Sequence, residues 1–371
     1  MEQYRPVWAE INLGALKRNY SRLARQTVSE LMPIVKADAY GHGVIPVVRA
    51  LRDCGAKRFG VALLEEALEI KRIFPELTLM VLGITPLEAS DMLVREDVIP
   101  GISSLANAEA LSAAAVKQGQ TARLHVKIDT GMGRIGFRLD DVADIFALAK
   151  LPNLFIEGIY MHFASADDAD LSFARDQLEL FNEVCRTLAE MGLTIPIRHA
   201  ANSAALIQLC ESHFELVRPG VIMYGLPPSP VVGYAADVEP VLSWKAKISH
   251  IKQIEPGETV SYGRTFTAAA PTRVATIPLG YADGLRRTLS NSGEVLVRGK
   301  RVPIIGRVCM DQTMLDITAV PEAAVGDVVT LIGRDGDESI DAADMGDKIG
   351  TINYEVTCGI SKRVPRIYLD D

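Results

Sequence analysis

The chain has 371 residues, of which 48% are hydrophobic and 23% charged, and its formal net charge at pH 7 is −8. This composition is typical of a globular protein, and the length favours two domains. The acidic balance argues against non-specific nucleic-acid binding, and no apolar run is long enough to span a membrane. Because the N-terminus also lacks a signal-peptide core, we expect a cytoplasmic protein that binds neither nucleic acid nor a membrane.

The chain has 5 cysteines, at positions 54, 185, 210, 309 and 358, and none of them forms a C-x-x-C pair. This spacing excludes a zinc ribbon, and the odd number excludes a fully paired disulfide framework. We expect most of these cysteines to be small apolar residues of the interior in a reducing compartment. No metal site is predicted.

From about Leu31 to Leu226, short apolar runs alternate with stretches whose apolar residues recur at helical spacing. The predicted strands are Leu31–Val35, Phe59–Ala62, Leu79–Leu82, Val98–Gly101, Leu124–Ile128, Phe155–Tyr160, Ile195–Arg198 and Glu215–Val217. The predicted helices include Leu64–Ile73, Leu105–Gln118, Val142–Leu148 and Ser172–Met191. This α/β alternation predicts an N-terminal (β/α)8 TIM-like barrel over residues 13–240, with a doubly wound open sheet as the alternative.

Beyond Pro240, runs rich in β-branched residues are separated by Gly, Pro and Asp turns. The predicted strands are Val241–Ile254, Thr272–Pro278, Glu294–Val297, Arg301–Ile305, Met314–Ile317, Asp327–Gly333 and Arg363–Leu369. We predict a C-terminal mainly-β domain over residues 241–371, with one short helix near Asp341–Ile349. The N-terminal segment 1–12, which contains the strand-like run Val7–Ile11, is expected to join this domain.

Lys36 ends an apolar stretch and opens the polar, glycine-containing run KADAYGHG, residues 36–43. Lysine is rarely buried unless it is paired or reactive. At the mouth of a strand, a lysine that loses its proton by desolvation or beside another cation can form a Schiff base with a carbonyl compound. The alternative is a solvated cation at a strand end, and the rest of the chain decides between the two.

Functional residues of a (β/α)8 barrel lie at the carboxyl ends of its strands. Unusual residues lie there in this chain: Lys127 and Asp129–Arg134 at the fifth strand, His162 at the sixth, Ser203 after the seventh and Arg218–Val221 after the eighth. The planar guanidinium of Arg134 suits a substrate carboxylate. Each feature also has an ordinary interpretation, as a glycine-shaped loop, a solvated charge, a structural histidine or a helix N-cap.

Asn202-Ser203 is a candidate helix N-terminus, which is also a favourable place for a phosphate. Phosphate sites of barrels often form after the seventh and eighth strands, where Ser203 and the Gly220-Val221 turn are predicted to lie. A reactive lysine that faces a phosphate site indicates a cofactor with both an aldehyde and a phosphate. The sequence therefore predicts pyridoxal 5′-phosphate (PLP) as cofactor.

The predicted β domain contains three tyrosines next to glycine or asparagine, namely Tyr262, Tyr281 and Tyr354, and also the run Cys309-Met310-Asp311. A tyrosine in a turn usually packs its ring and leaves its hydroxyl in water. Three such turns in one chain favour a functional role without establishing it.

Over nearly its whole length, the chain resembles the bacterial alanine racemases, which are PLP enzymes of fold type III. The motifs that carry the resemblance are VKADAYGHG at 35–43, DTGMGR at 129–134, SYG at 261–263 and GYADG at 280–284. The resemblance implies an isomerase that interconverts L-alanine and D-alanine by a two-base mechanism and supplies D-alanine for peptidoglycan.

The resemblance also implies a role for each matching residue. Lys36 would bind PLP and act as one catalytic base, and Tyr262 from the partner subunit would be the other, in a homodimer with composite sites. The other cofactor contacts would be Tyr40, Ser203, Tyr354 and the backbone of Gly220 and Val221 at the phosphate, Arg218 at the pyridine nitrogen, and His162 beside Arg218. Arg134 and the partner's Met310 would hold the substrate, Lys127 would be a candidate for a carbamate that orients Arg134, and Tyr281 and Tyr354 would line the access path.

Arg218 has a chemical consequence in this scheme. A guanidinium does not readily give a proton to the pyridine nitrogen, so the cofactor is a weaker electron sink. A long-lived carbanion is then disfavoured, which suits racemisation and suppresses transamination. The PLP-dependent decarboxylases of the same fold typically have an acidic residue at this place.

Other functions remain open from the sequence alone. A racemase for serine or for a broader set of amino acids differs in pocket size, which one sequence does not reveal. A fold-type III decarboxylase is disfavoured by Arg218. A PLP-binding carrier or regulatory protein usually consists of the barrel alone, so the β domain with Tyr262 and Met310 argues against it.

Overall fold

The computed structural model describes residues 4–232 and 237–371. Its first elements are strand β1 (Val7–Asn12) and helix α1 (Leu13–Ala24). The chain divides into two units. The barrel unit contains Leu16–Ala39 and Val44–Glu239, and the β unit contains the chain up to Ala15, Tyr40–Gly43 and Pro240–Asp371. Residues 1–3 of the predicted N-terminal segment lie outside the described residues.

The described part of the barrel unit contains parallel strands that alternate with helices. The strands are β2 (Glu30–Leu31), β3 (Arg58–Val61), β4 (Thr78–Val81), β5 (Val98–Ile102), β6 (Ala122–Lys127), β7 (Leu154–Tyr160), β8 (Ile197–His199) and β9 (Leu216–Val217). The helical segments are α3 (Val44–Asp53), α4 (Leu64–Lys71), α5 (Ser90–Arg95), α6 (Leu105–Gln118), α7 (Val142–Leu148), α8 (Ser172–Glu190) and α9 (Ser203–Gln208). Segment α2 (Lys36–Tyr40) has left-handed backbone angles at residues 37–40, and its last residue belongs to the β unit.

The strands close into a ring. Strands β3 to β8 form one sheet in sequence order, and β2 pairs with β9. Backbone hydrogen bonds complete the circle, since Val35 N donates to Gly60 O at 2.9 Å and Arg218 N donates to Ala201 O at 3.0 Å. The predicted (β/α)8 barrel is therefore confirmed, and the open sheet is excluded.

The first predicted strand is shorter in the structure than the sequence indicated. Strand β2 ends at Leu31, and only an isolated bridge joins Ile34 to Gly60. Pro33 lacks a backbone N–H and cannot donate to the neighbouring strand β3, so the pairing between the first barrel segment and β3 is interrupted there. Pro196 acts in the same way on the seventh strand, which begins at Ile197 rather than Ile195.

Local sequence explains where the long helices begin and end. Helix α6 starts where Ser104 Oγ accepts a hydrogen bond from Asn107 N, and it stops at Gly119, whose φ of 63° favours glycine. Helix α8 buries apolar residues at helical spacing, among them Ala174, Leu178, Phe181 and Leu188. The short helix α5 was not predicted, because six residues are too few to show a periodic pattern. The start of α9 at Asn202-Ser203 was predicted from its cap, and its length was not.

The β unit combines β1 with later strands of the chain. They are β10 (Leu242–Lys247), β11 (His250–Ile254), β12 (Thr259–Val260), β13 (Phe266–Thr267), β14 (Thr272–Ile277), β15 (Glu294–Val297), β16 (Lys300–Ile305), β17 (Thr313–Asp316), β18 (Val328–Asp335), β19 (Glu338–Ile340) and β20 (Arg366–Leu369). The helices are α10 (Ala342–Ile349) and α11 (Asn353–Cys358). The predicted mainly-β character is confirmed.

The main sheet of this unit has the strand order β11-β14-β17-β16-β15-β18-β10-β1-β20. Strand β1 lies antiparallel to β10, with Val7 opposite Ala246, and parallel to β20, with Ala9 opposite Arg366. The predicted strand Val241–Ile254 is in fact two strands, β10 and β11, which pair with different neighbours. The β12–β13 hairpin was not predicted, because two-residue strands carry no readable alternation.

None of the five cysteines, all of which lie in the described ranges, forms a disulfide; Cys210 and Cys358 are exposed, and the others are partly buried. These two are therefore exceptions to the expected interior position. No helix in the described ranges is both long and apolar enough to cross a bilayer. Within the same ranges, no cluster of His, Cys, Asp and Glu side chains suits a metal ion.

Candidate active site

The predicted site residues fall into two groups according to the unit that contains them. The barrel unit contains Lys36, Lys127, Arg134, His162, Ser203, Arg218, Gly220 and Val221. The β unit contains Tyr40, Tyr262, Tyr281, Met310 and Tyr354. Each group is built by the elements of its own unit.

Lys36 is half-buried at the carboxyl end of the first barrel segment and opens an unusual turn. The next four residues, 37–40, all have φ between 54° and 55°, in the left-handed region. This region costs a residue other than glycine roughly 1–2 kcal/mol. Strain of this size persists where surrounding contacts impose it, and such sites are often functional.

Two carboxylates fix the left-handed turn. Ala37 N donates to Glu66 Oε1 at 2.7 Å, and Val44 N donates to Asp38 Oδ1 at 2.7 Å. The other oxygen of Glu66 accepts from Ala62 N at 2.8 Å, which joins the turn to the connection after β3. Glu66 therefore positions the backbone next to Lys36, a role that sequence reasoning missed because no local pattern marks it.

Arg218 is buried, and most of its guanidinium hydrogens are used by its own unit. Nη1 donates to the carbonyl of His199 at 2.9 Å, and Nη2 donates to the carbonyls of Met161 at 2.8 Å and Ala200 at 2.9 Å. Nδ1 of His162 lies 3.4 Å from Nη2. Burial lowers the pKa of Arg218 to about 10, so it stays cationic at neutral pH.

His199 contacts this guanidinium through its ring as well as its carbonyl. Its Nδ1 lies 2.9 Å from Arg218 Nη1, and its ring stacks on Tyr160 with centroids 4.9 Å apart. Burial first, and then the charge of Arg218, lower the pKa of His199 well below the usual value. The sequence analysis did not assign His199, although its position at the end of a barrel strand was a usable signal.

His162 lies among cations. Burial first, and then Arg218, Arg134, Lys127 and Lys36, lower its pKa well below the usual value. His162 is therefore neutral at pH 7, and four of the predicted site cations act on one imidazole. The barrel thus brings these four cations into one electrostatic environment.

Lys127 is a buried lysine at the end of β6, with 2% of its surface exposed. Its Nζ donates to Ile128 O at 2.6 Å and lies 5.5 Å from the centre of the Tyr160 ring. Burial, assisted by the charges of Arg218 and Arg134, lowers its pKa to about 7. A large fraction of this amine is therefore neutral, and nucleophilic, at physiological pH.

The loop after β6 presents Arg134. Asp129 Oδ1 accepts from Gly131 N and Gly133 N, each at 3.1 Å. Burial raises the pKa of Asp129, but these hydrogen bonds outweigh it and leave that pKa below the usual value. Gly136 has a φ of 128°, and a Cβ there would lie 2.7 Å from Asp129 N. The glycines of this motif thus form a tight loop that leaves the Arg134 side chain exposed.

Ser203 and the turn after β9 meet, as the phosphate hypothesis requires. Ser203 Oγ accepts from Gly220 N at 2.8 Å and is buried. Asn202 Oδ1 caps α9 by accepting from Ala204 N and Ala205 N at 3.1 and 3.0 Å. The N–H groups of Ala204, Ala205 and Gly220 are thereby occupied. Of the predicted phosphate contacts here, the Ser203 hydroxyl hydrogen and Val221 N are the ones without an acceptor among the described residues.

In the β unit, Tyr262, Tyr281 and Met310 belong to one set of connected loops. Ser261 Oγ donates to Arg307 O at 2.7 Å and lies 3.4 Å from Cys309 Sγ. Tyr281 N donates to Cys309 O at 2.9 Å. The exposed fraction is 71% for Tyr262, 42% for Tyr281 and 51% for Met310, which is unusual for such large groups.

Tyr40 and Tyr354 also meet within the β unit. Their ring centroids lie 6.5 Å apart in an edge-to-face arrangement. The backbone at Gly41, with a φ of 82°, approaches the carbonyl of Thr357 too closely for any Cβ. The predicted phosphate-binding tyrosines are thus held together by the packing of Tyr40–Gly43 against α11.

Comparison with known proteins identifies the family. The profile described as "Alanine racemase, N-terminal domain" matches residues 11–228, and "Alanine racemase, C-terminal domain" matches residues 241–368. The alanine racemase of Carboxydothermus hydrogenoformans is 46% identical over 369 residues, which cover 98% of this chain and 100% of that protein.

Solved structures agree. Alanine racemase from Bacillus anthracis with bound L-Ala-P has a TM-score of 0.94 and 37% identity, covering 100% of this chain and 97% of that one. Alanine racemase from Bartonella henselae with covalently bound pyridoxal phosphate has a TM-score of 0.90 and 30% identity, covering 98% and 99%. Since both units match in order over the whole length, the chain belongs to the alanine racemase family.

Proposed function

We propose that this protein is a PLP-dependent alanine racemase that interconverts L-alanine and D-alanine with two bases. The observation that carries the proposal is the pairing, in one barrel, of Lys36 on a strained turn with a buried cationic Arg218 held by carbonyls. Family membership supports the same activity.

The donors of the barrel unit suit the three polar ends of PLP. Ser203 Oγ accepts from Gly220 N, and its hydroxyl hydrogen has no acceptor among the described residues, so a phosphate oxygen can take it. The Nε–H of Arg218 is likewise without an acceptor in the described part of the chain, which suits a pyridine nitrogen. Lys36 supplies the amine for the aldehyde.

When bound, PLP would draw electrons from the Cα–H bond of an amino acid joined to its aldehyde carbon. Lys36 Nζ then exchanges a proton with Cα on one face, and Tyr262 Oη from the partner subunit does so on the other. Two bases avoid the need for one group to cross the substrate plane. Arg134, whose guanidinium is exposed on its loop, binds the substrate carboxylate, and Met310 N–H from the partner assists.

Arg218 controls which reaction follows. Its guanidinium donates hydrogen bonds and keeps its proton, so with PLP bound the charge that develops at Cα would not spread far into the cofactor ring. The proton therefore returns to Cα rather than to another carbon. This favours racemisation over transamination and argues against decarboxylation.

Lys127 is the proposed site of carbamylation. Its neutral amine attacks the carbon of CO2, an N–C bond forms, and one amine proton leaves to solvent. The product carries one negative charge where the free amine was neutral or cationic. That charge attracts Arg134 and so orients the group that binds the substrate carboxylate.

We also propose a homodimer with two composite sites, located in the cytoplasm, that provides D-alanine for peptidoglycan. The exposed side chains of Tyr262, Tyr281 and Met310, on connected loops of one unit, support a partner at this surface. Tyr281 and Tyr354 would line the access path to each site.

Chiral analysis of alanine tests the activity directly. Purified protein with PLP and L-alanine should produce D-alanine until both forms are nearly equal. If alanine stays L while the protein still binds PLP through Lys36, the alanine assignment is wrong, and L-serine is the next substrate to test. A protein that binds PLP but racemises neither amino acid would instead fit a carrier.

Complementation tests the composite sites. Lys36→Ala and Tyr262→Ala should each be inactive, whereas refolding them together as a mixture should restore about a quarter of the wild-type activity, because half of the dimers are mixed and each has one intact site. If each site lay within one chain, every site of a mixed dimer would lack one base. Absence of recovery in verified mixed dimers therefore overturns the composite site.

A further inference from the structure

A buried chain of hydrogen bonds leads away from Arg218 through the barrel. Arg218 Nη1 contacts His199 Nδ1 at 2.9 Å, His199 Nε2 lies 2.7 Å from His125 Nδ1, and His125 Nε2 lies 2.9 Å from Glu157 Oε2. Both imidazoles are fully buried. This hydrogen-bond chain thus connects the guanidinium at the carboxyl end of the strands to a carboxylate within strand β7.

The donor at one end of the hydrogen-bond chain and the acceptor at the other determine which nitrogen of each imidazole carries the hydrogen. Arginine only donates, so Nδ1 of His199 must accept and its Nε2 must carry the hydrogen. His199 Nε2 then donates to His125 Nδ1, and His125 Nε2 donates to the carboxylate of Glu157. Burial lowers the pKa of both histidines, which agrees with two neutral rings.

Glu157 is itself anchored by two arginines. Arg58 Nη1 donates to its Oε2 at 2.7 Å, and Arg123 Nη1 donates to its Oε1 at 3.2 Å. Burial raises the pKa of Glu157, but the hydrogen bonds from His125 and Arg58 outweigh it and hold the carboxylate ionised. The carboxylate of Glu157 is therefore ionised, and its two oxygens are held in a fixed orientation by these hydrogen bonds.

Two glycines within strands provide the space for these rings. A Cβ on Gly158 would lie 2.5 Å from His125 Nδ1, and a Cβ on Gly101 would overlap the hydroxyl of Tyr160, whose ring stacks on His199. Neither glycine has a positive φ that would require it. Since glycine weakens a strand, these two positions indicate space reserved for side chains.

We propose that Glu157 is a positioning residue for racemisation, which acts through His125 and His199 to present a lone pair to Arg218 and so fixes its guanidinium. The proposal rests on the proposed function, in which Arg218 faces the ring nitrogen of PLP. Without the carboxylate, Arg218 alone opposes the other tautomer of the two histidines, and that tautomer becomes more populated. His199 would then present an N–H to a donor, and the guanidinium would shift.

The tautomers are measured in the cofactor-free protein, which makes this test independent of activity. The chain has 6 histidines, so ¹⁵N-histidine labelling and single His→Gln variants assign their ring signals. We expect neutral His125 and His199 with hydrogen on Nε2, and a change in both after Glu157→Gln. A cationic ring or an Nδ1–H tautomer in the wild-type protein overturns the proposal.

The holoenzyme gives the second readout. Glu157→Gln should raise pyruvate formed per racemisation turnover on the order of tenfold, with kcat lowered and KM nearly unchanged, because an outer carboxylate orients a group without touching substrate. The absorbance of bound PLP should shift in the same variant. Gly158→Ala, which displaces His125 and keeps the carboxylate, should act in the same direction.

Glu215→Gln is the matched control. Glu215 accepts from Arg198 Nη2 at 2.8 Å in the same barrel but contacts neither His125 nor His199. Equal pyruvate ratios in Glu157→Gln and Glu215→Gln, in folded and racemising enzyme, contradict the proposal. If the wild-type protein forms no D-alanine, the proposed function fails instead, and the tautomer result still stands.

Discussion

Arg218 Nη1 donates to both the ring nitrogen and the carbonyl oxygen of His199, each at 2.9 Å. A guanidinium fixed by two acceptors of one residue has little freedom to rotate, and the carbonyls of Met161 and Ala200 restrict it further. Its position is therefore set by backbone carbonyls of the barrel together with the His199 ring.

Arg218→Glu should damage both stability and reaction specificity. The substitution places a carboxylate against the carbonyls of Met161, His199 and Ala200, so we expect a loss of about 3–5 kcal/mol in the free energy of unfolding. An acidic residue at the pyridine nitrogen should also raise transamination.

Pyruvate formed per racemisation turnover measures the second effect, and circular dichroism establishes that the variant is folded. Arg218→Lys, which keeps the charge but loses donors, should lower stability less. An Arg218→Glu protein that is folded, active and no richer in pyruvate would refute the argument about the electron sink.

Lys127→Met should change how stability depends on pH. The folded pKa of Lys127, about 7, lies below the ordinary value of 10.5. Between these values the unfolded chain binds more protons, so the wild-type protein gains stability as pH rises from about 7. Below that pH its buried ammonium is a constant penalty.

The variant removes that penalty, so it should exceed the wild-type protein in stability at acidic pH by a few kcal/mol at most, less the lost bond to Ile128 O. The advantage should shrink as the pH rises towards the ordinary pKa of lysine. Urea unfolding of cofactor-free protein in CO2-depleted buffer gives the difference, with the exposed Lys150→Met as control. A difference that is constant with pH would count against this account.

Tyr262→Ala should slow proton removal from one enantiomer of alanine more than from the other. If Tyr262 is the base on one face and Lys36 on the other, exchange of the Cα deuterium should fall much more for L-alanine than for D-alanine. Mass spectrometry of each enantiomer in ordinary water measures the two rates. Equal losses for both would be incompatible with assigned faces, and Tyr281→Phe serves as a control that keeps both bases.

Gly280→Ala should disturb the loops that carry Tyr281 and Met310. A Cβ at Gly280 would approach the carbonyl oxygens of Cys309 and Met310 more closely than real Cβ atoms do, so these loops must move. We expect a loss of roughly 1–3 kcal/mol in stability and a larger relative loss of activity.

Gly257→Ala is the matched control for that substitution. Gly257 has a φ of 89°, and a Cβ added there would have no neighbouring atom within 4 Å, so alanine strains only the backbone. It should lower stability by about 1 kcal/mol and leave kcat unchanged. Similar activity losses in both variants would show that backbone strain alone explains the effect at Gly280.

The class of each half of the chain could be predicted from the sequence. Apolar runs such as Phe155–Tyr160 and the pattern of α6 depend on local periodicity, which is readable without tertiary contacts. The motifs around Lys36, Arg134 and Tyr262 were recognisable because specific loops need glycine at fixed positions. The family that these motifs indicated is confirmed by profiles over both units.

Other features depend on contacts between distant parts of the chain. Local sequence does not predict the left-handed turn after Lys36, since alanine disfavours this region, and Glu66 from another connection supplies one of its backbone contacts. His125 and Glu157 alternate with apolar neighbours as they would on a solvated strand face. Only closure of the barrel buries them together with His199, because inward-facing side chains of separate strands then share one interior with no water to satisfy them.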